Sequence, residues 1–132
     1  MTRIDHFAIV VPDLSKARNI LSKGFGMRLK EKKNYPELGM KVAILEAENI
    51  AIELIEPTGP GPYWKSRKKK STLNHFAIDS RTIPSFQNRL KRARLKMEKE
   101  SRRKIEGGYI QNVDPSTVMG LRIQLLDRKN KT

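Results

Sequence analysis

The tetrapeptide His-Phe-Ala-Ile occurs at His6–Ile9 and again at His75–Ile78, 69 residues further along the chain. These two copies contain both histidines of the 132-residue sequence. Imidazole is the commonest metal-ligating side chain and titrates near neutral pH. Because the chain uses histidine so sparingly and places it twice in the same local sequence, we infer that it contains a duplicated site.

The similarity between the two halves extends beyond the tetrapeptide. Ile4–Val11 is rich in β-branched residues and predicts a buried strand, after which Asp13 is a helix N-cap and Gly24 ends the helix. Leu73–Asp79 predicts the corresponding strand of the second half, and Pro84 suits the first turn of the helix that follows it. A repeat of this length is typical of two halves of one fold rather than of a solenoid.

Each helix is followed by three predicted strands, at Met27–Lys32, Met40–Leu45 and Ile50–Ile55 in the first half and at Leu95–Lys99, Gly107–Val113 and Leu121–Leu126 in the second. The pattern predicts an α+β fold in which two tandem βαβββ modules form a curved mixed sheet around a central metal site. We expect one domain over residues 1–132, with module 1 at about 1–57, a linker at 58–71 and module 2 at about 72–132.

The composition restricts the classes of function without selecting one. Net charge is +14 and charged residues make up 32% of the chain, which favours binding to polyanions in general. The absence of cysteine excludes disulfides and thiolate metal sites. Neither an apolar run of about 18 residues nor a signal peptide is visible, so we expect a cytoplasmic protein. High charge without cysteine is also typical of ion-paired proteins from thermophiles.

Two further polar residues recur in the closing strands of the halves. Glu53 and Gln124 each lie between an isoleucine and a leucine, where a polar side chain is costly to bury unless it has a partner. Each half then supplies one imidazole and one oxygen ligand. The set His6, Glu53, His75 and Gln124 suits a divalent ion such as Co, Mn, Ni, Zn or Fe, with two coordination positions left for a bidentate substrate. Taken singly, a histidine in a strand is more often a core residue than a ligand, and a glutamate in a strand usually faces water. The repetition of all four polar positions in two copies favours a metal site.

The same segments resemble the vicinal oxygen chelate superfamily, which is also called the glyoxalase/bleomycin resistance/dioxygenase superfamily. Ile4–Leu14 resembles its first strand and helix start, and the other ligand strands resemble Ile52–Pro57, Leu73–Ile78 and 114–125. Within the superfamily the chain is most similar to the methylmalonyl-CoA epimerases. The stretch 35–43 resembles a segment of that family whose glutamate lies near the substrate, and Glu37 matches this glutamate.

The resemblance implies a divalent-metal-dependent isomerase that abstracts an α-proton through a metal-stabilised enolate, with Glu37 and Glu53 as catalytic residues. It implies an acyl-CoA substrate, whose phosphates the basic run Lys65–Lys70 would contact, although a solvated loop is the better explanation of that run on the sequence alone. It also implies a homodimer. Only 6% of residues are aromatic and they are not interleaved with the basic ones, so we do not expect a nucleic-acid partner.

Two positions depart from the epimerase pattern. The family carries glutamate where this chain has Gln124, and often glutamine where it has Glu53. An amide coordinates through its oxygen but cannot carry a proton, so the exchange either moves the second base to Glu53 or indicates another reaction. The alternatives are a glyoxalase I-like lyase and a non-catalytic protein that binds a small ligand on the same fold.

Overall fold

The computed structural model describes residues 2–80 and 83–128. The described residues divide into two compact units, one formed by His6–Asn74 and the other by residues 2–5 together with residues 75–80 and 83–128. In the described part of the chain, no helix is long and apolar enough to cross a membrane.

The first βαβββ module contains strands β1 (Arg3–Val10), β2 (Arg28–Tyr35), β3 (Met40–Glu46) and β4 (Ala51–Pro57), and helix α1 (Leu14–Asn19), which continues as a π-helical turn over Ile20–Gly24. The strands lie in the order β2-β3-β4-β1. Neighbours are antiparallel except β1 and β4, which are parallel. Asp13 accepts a hydrogen bond from the Lys16 N–H at 3.0 Å, so the predicted N-cap is confirmed.

The second module repeats this order with strands β5 (Thr72–Asp79), β6 (Arg103–Ile105), β7 (Gly108–Asn112) and β8 (Ile123–Arg128), and helix α2 (Ile83–Arg92). Its strands lie in the order β5-β8-β7-β6, and β5 and β8 are the parallel pair. The prediction of an α+β fold with two βαβββ modules and a mixed sheet is therefore confirmed.

Within each module the helix covers one face of the strands. Leu14 of α1 packs with Leu45 and Leu54, whereas Ala8 and Val42 belong to a separate apolar cluster. In the second module Ile83 of α2 packs with Leu125 and Val113, whereas Ala77 packs with Ile110 and Leu126. Because side chains alternate between the two faces of a strand, each module has a helix-covered face and an opposite face.

A carboxylate on the closing strand holds the start of each helix. Glu56 Oε1 accepts a hydrogen bond from the Leu14 N–H at 2.9 Å, and Asp127 Oδ2 accepts one from the Ile83 N–H at 3.2 Å. The two carboxylates are 71 positions apart, as are Glu53 and Gln124. Each bond satisfies a backbone N–H that has no partner within its helix, so the repeat extends to the contact that docks each helix.

The second module differs from the sequence prediction at one strand. The predicted strand at Leu95–Lys99 is wrong, because in this segment only Met97 forms an isolated bridge, with Val113. The strand between α2 and β7 is instead β6. It pairs with β7 and is joined to it by a two-residue turn with Gly107 at φ +82°. Glycine takes such a conformation without steric cost, and a turn of this length fixes the register of a hairpin.

Candidate active site

His6 and Glu53 lie together on the face of the first module that α1 does not cover. Glu53 is the register partner of Ala8, two residues beyond His6 on β1, so parallel pairing sets the two side chains on the same face. His6 Nε2 is 3.7 Å from Glu53 Oε2, and the side chains are 9% and 22% exposed. This separation is longer than a hydrogen bond. The imidazole nitrogen and the carboxylate oxygen therefore lie side by side on this face of the module. An imidazole and a carboxylate in this arrangement are suitable donors for a divalent ion.

His75 and Gln124 occupy the same positions in the second module. Gln124 is the register partner of Ala77, two residues beyond His75, and both polar residues are 7% exposed. Gln124 Nε2 donates to Asn112 Oδ1 at 3.4 Å. Because the NH₂ end of the amide is held by this contact, its carbonyl oxygen is the atom that offers lone pairs to a cation.

A short turn fixes the approach of the chain to β8. The Asp114 carboxylate accepts hydrogen bonds from the Ser116 N–H at 3.0 Å and from the Ser116 hydroxyl at 2.8 Å. The Ser116 bonds hold the pKa of Asp114 below its ordinary value. Because the charged form is the one that accepts both bonds, the turn that precedes Gln124 is stabilised at neutral pH.

Glu37 lies on an exposed one-turn 3₁₀ helix, Pro36–Leu38, immediately before β3. Leu38 packs against the apolar cluster that contains Ala8 and Val42, which is on the face that carries His6. The turn ends at Gly39, whose carbonyl accepts hydrogen bonds from the backbone N–H of Thr58 at 2.7 Å and of Gly59 at 3.3 Å. The backbone immediately after Glu37 is therefore held by the packing of Leu38 and by the two hydrogen bonds to Gly39.

Replacement of Gly39 by alanine is expected to lower the free energy of unfolding by about 2 kcal/mol. Gly39 has φ +61°, and a Cβ there would collide with the carbonyl oxygens of Gly59 and Pro60. Gly24→Ala is the matched control, because a Cβ at Gly24 meets no atom within 4 Å. Chemical denaturation of both variants checks the prediction, and equal stability of the two would contradict it.

The start of the linker packs against the same apolar face. Tyr63 contacts the cluster that contains Ala8 and Val42. The Arg67 guanidinium lies 3.7 Å from the centre of the Trp64 ring, and its Nη1 donates to the Trp64 carbonyl oxygen. Lys68, Lys69 and Lys70 are exposed. Tyr63 therefore anchors this segment to the module, Trp64 and Arg67 hold each other within it, and the cations that follow are exposed.

The donor types in the predicted ligand set fit a divalent first-row ion, since imidazole, carboxylate and amide oxygen all bind such metals. Of this set, His6 Nε2 and Glu53 Oε2 approach each other to 3.7 Å. Within residues 2–80 and 83–128, no group of three or more His, Cys, Asp or Glu side chains is arranged to hold a metal. Analysis of the sequence missed Asn112 and Asp127, because their contacts depend on strand pairing that no local pattern reveals.

Comparison with known proteins finds methylmalonyl-CoA epimerases among the relatives of this chain. The chain is 27% identical over 127 residues to the mitochondrial methylmalonyl-CoA epimerase of Bos taurus, covering 93% of this chain and 73% of the bovine protein. It is 29% identical over 97 residues to the mitochondrial methylmalonyl-CoA epimerase of Homo sapiens, covering 71% of this chain and 55% of the human protein. The chain thus spans only about half the length of the human relative.

A solved structure shows the same fold. A variant of Streptomyces coelicolor methylmalonyl-CoA epimerase in complex with 2-nitronate-propionyl-CoA superposes with a TM-score of 0.78, at 18% identity, covering 98% of this chain and 99% of that one. Residues 5–111 match the family described as the Glyoxalase/Bleomycin resistance protein/Dioxygenase superfamily. The match includes three of the four predicted ligand positions and both copies of the histidine motif, and the chain belongs to this superfamily.

Proposed function

We propose that the protein is a divalent-metal-dependent epimerase that acts on the carbon next to the carbonyl group of an acyl-CoA, as the methylmalonyl-CoA epimerases do. The observation that carries the proposal is the 3.7 Å approach of His6 Nε2 to Glu53 Oε2 on the face of the first module opposite α1. The curated relatives with that activity, similar over most of this chain, support the choice of reaction.

The proposed metal ligands are those predicted from the sequence, His6, Glu53, His75 and Gln124, and the ion is Co, Mn, Ni, Zn or Fe. When bound, such an ion acts as a Lewis acid that stabilises negative charge on the carbonyl oxygens of the substrate. The donors differ between modules, a carboxylate in one and an amide in the other. The contact between Gln124 and Asn112 suits an amide that binds through its oxygen.

Proton transfer in this proposal belongs to the carboxylates of the first module. Epimerisation requires a group that removes the α-proton and a group that returns one to the other side of the carbon. Gln124 cannot carry a proton, so Glu37 and Glu53 take these two tasks. Glu53 lies beside a buried imidazole, and Glu37 extends from a turn whose backbone is hydrogen-bonded at Gly39.

The acyl-CoA part of the proposal rests on charge and on the relatives. The exposed lysines at the end of the linker, within Lys65–Lys70, are placed to attract the phosphates of coenzyme A at long range. The Streptomyces relative binds a propionyl-CoA analogue. We include a homodimeric assembly and a cytoplasmic location in the proposal, as the sequence predicts.

The direct test is exchange of the α-proton of methylmalonyl-CoA in deuterium oxide, followed by mass spectrometry. We expect the protein loaded with Co²⁺ or Mn²⁺ to incorporate deuterium, and the protein treated with a chelator to lose this activity. Failure of every metal-loaded form to exchange the proton would overturn the epimerase proposal. Turnover of the glutathione adduct of methylglyoxal in place of exchange would instead identify a glyoxalase I-like lyase.

A further inference from the structure

A cationic cleft of about 390 Å³ lies within the first module. Its charged lining residues are Arg18 from α1, Lys32 and Lys33 from β2, Lys41 from β3 and Glu56 from β4. Four cations thus face one carboxylate around a single concavity. Its volume is within the range of small-molecule sites, about 300 to 1,000 Å³.

The cleft opens on the helix-covered face of the strands, away from His6 and Glu53. Lys32 is the register partner of Ala43, which packs with Leu14 of α1. Lys41 lies two residues before Ala43 on β3 and therefore shares its face. The cleft is consequently separated by the sheet of this module from the face that carries the proposed active site.

The cleft has an excess of positive charge. Glu56 accepts the hydrogen bond of the Leu14 N–H, and Lys33 forms an ion pair with Glu31 at 2.8 Å. For the remaining cations, Arg18, Lys32 and Lys41, no ion pair or hydrogen bond of the side chain is formed with any residue in the described ranges. A concave surface lined by charge of one sign concentrates ligands of the opposite sign.

We propose that this cleft binds a phosphorylated small molecule through a diphosphate group. Arg18, Lys32 and Lys41, which have no partner among the residues that the structure describes, come from three different elements, so they surround a ligand whose oxygens point in several directions. A guanidinium binds two phosphate oxygens at once, and lysine ammonium groups bind phosphate as point charges. A single carboxylate would use only part of this set.

Titration calorimetry of the full chain with inorganic pyrophosphate tests the proposal. We expect saturable binding with one site per chain, and binding about tenfold weaker in the double variant K32Q/K41Q, which removes two charge-assisted contacts. The matched control is K91Q/K99Q, which changes net charge equally at exposed residues of the second module that do not line the cleft, and it is expected to alter affinity by less than about twofold. Amide shifts on addition of pyrophosphate should cluster around Arg18 and Lys41.

The probes also distinguish two sources of the diphosphate. Tighter binding of ADP than of pyrophosphate would identify a nucleotide as the occupant, and equal binding would identify the diphosphate group alone as what the cleft recognises. Equal loss of affinity in K32Q/K41Q and K91Q/K99Q would overturn the proposal, since binding would then depend on overall charge alone. Absence of pyrophosphate binding at low ionic strength would overturn it as well.

Discussion

Replacement of Glu53 by glutamine is expected to lower the rate of metal-dependent α-proton exchange by about 10³-fold, within the range that general acid–base catalysis contributes. Glutamine keeps the shape of the side chain and an oxygen that coordinates metal, but it cannot accept a proton from carbon. The 3.7 Å approach to His6 Nε2 places the changed group directly in the proposed site. Deuterium incorporation into methylmalonyl-CoA measures the effect.

Glu31→Gln is the matched control for this experiment. Glu31 is also a strand glutamate of the first module, but its carboxylate pairs with Lys33 at 2.8 Å rather than with His6. We expect the exchange rate of Glu31→Gln to stay within about twofold of the parent, because an exposed ion pair contributes little to stability and Glu31 has no role in the proposed proton transfer. An unchanged rate in Glu53→Gln would remove Glu53 from proton transfer.

A double variant asks whether the two modules can exchange roles. E53Q/Q124E gives this chain the epimerase pattern described above, with glutamine in the first closing strand and glutamate in the second. If the equivalence of these positions extends to chemistry, the double variant recovers most of the activity that E53Q loses. Equal activity of E53Q and the double variant would show that a carboxylate at position 124 cannot replace Glu53 in proton transfer.

Truncation of either histidine is expected to lower the affinity for Co²⁺ by more than about 100-fold, since loss of even an outer partner of a ligand costs 10- to 100-fold. Both His6 and His75 are 7% exposed, so water does not take the place of either imidazole as a metal ligand when the side chain is removed. Elemental analysis after loading and titration of the apoprotein with Co²⁺ measure the loss for His6→Ala and His75→Ala separately.

The control for damage to the fold is Gln111→Ala. Gln111 is also a buried polar strand residue, 6% exposed, but its Nε2 donates to the Glu98 carbonyl oxygen at 3.4 Å instead of belonging to a histidine motif. We expect Gln111→Ala to lose stability and to keep its affinity for Co²⁺. Retention of that affinity in both histidine variants would contradict the proposed ligand set.

The parts of the fold that the sequence predicted correctly are those with a strong local pattern. Two such patterns are the apolar-rich runs Ile4–Val11 and Leu73–Asp79. Short runs of this kind are typical of strands whose side chains pack on both faces of a sheet. Asp13 caps its helix through a contact with the Lys16 N–H, only three residues away. The order of elements follows from these signals and from their repetition in the second half.

The parts that escaped prediction depend on contacts between residues far apart in the chain. β6 has a single apolar residue in three, Ile105, so its pairing with β7 has no periodic signal. Asn112 contacts Gln124 only because β7 and β8 are antiparallel neighbours in that register. The cationic cleft likewise gathers charges from separate elements, which a scan for charge runs along the sequence does not detect.

The carboxylates that hold the two helices have a consequence for synthesis of the chain on the ribosome. Leu14 leaves the ribosome 42 residues before Glu56, and Ile83 leaves it 44 residues before Asp127. At about 5 to 20 residues per second, synthesis of the strand that docks each helix follows roughly two to nine seconds after the helix start. Since β1 also awaits the late strand β4 as its parallel partner, the nascent module keeps apolar strand edges exposed during that interval. Ribosome-associated chaperones are expected to engage it until its closing strand emerges.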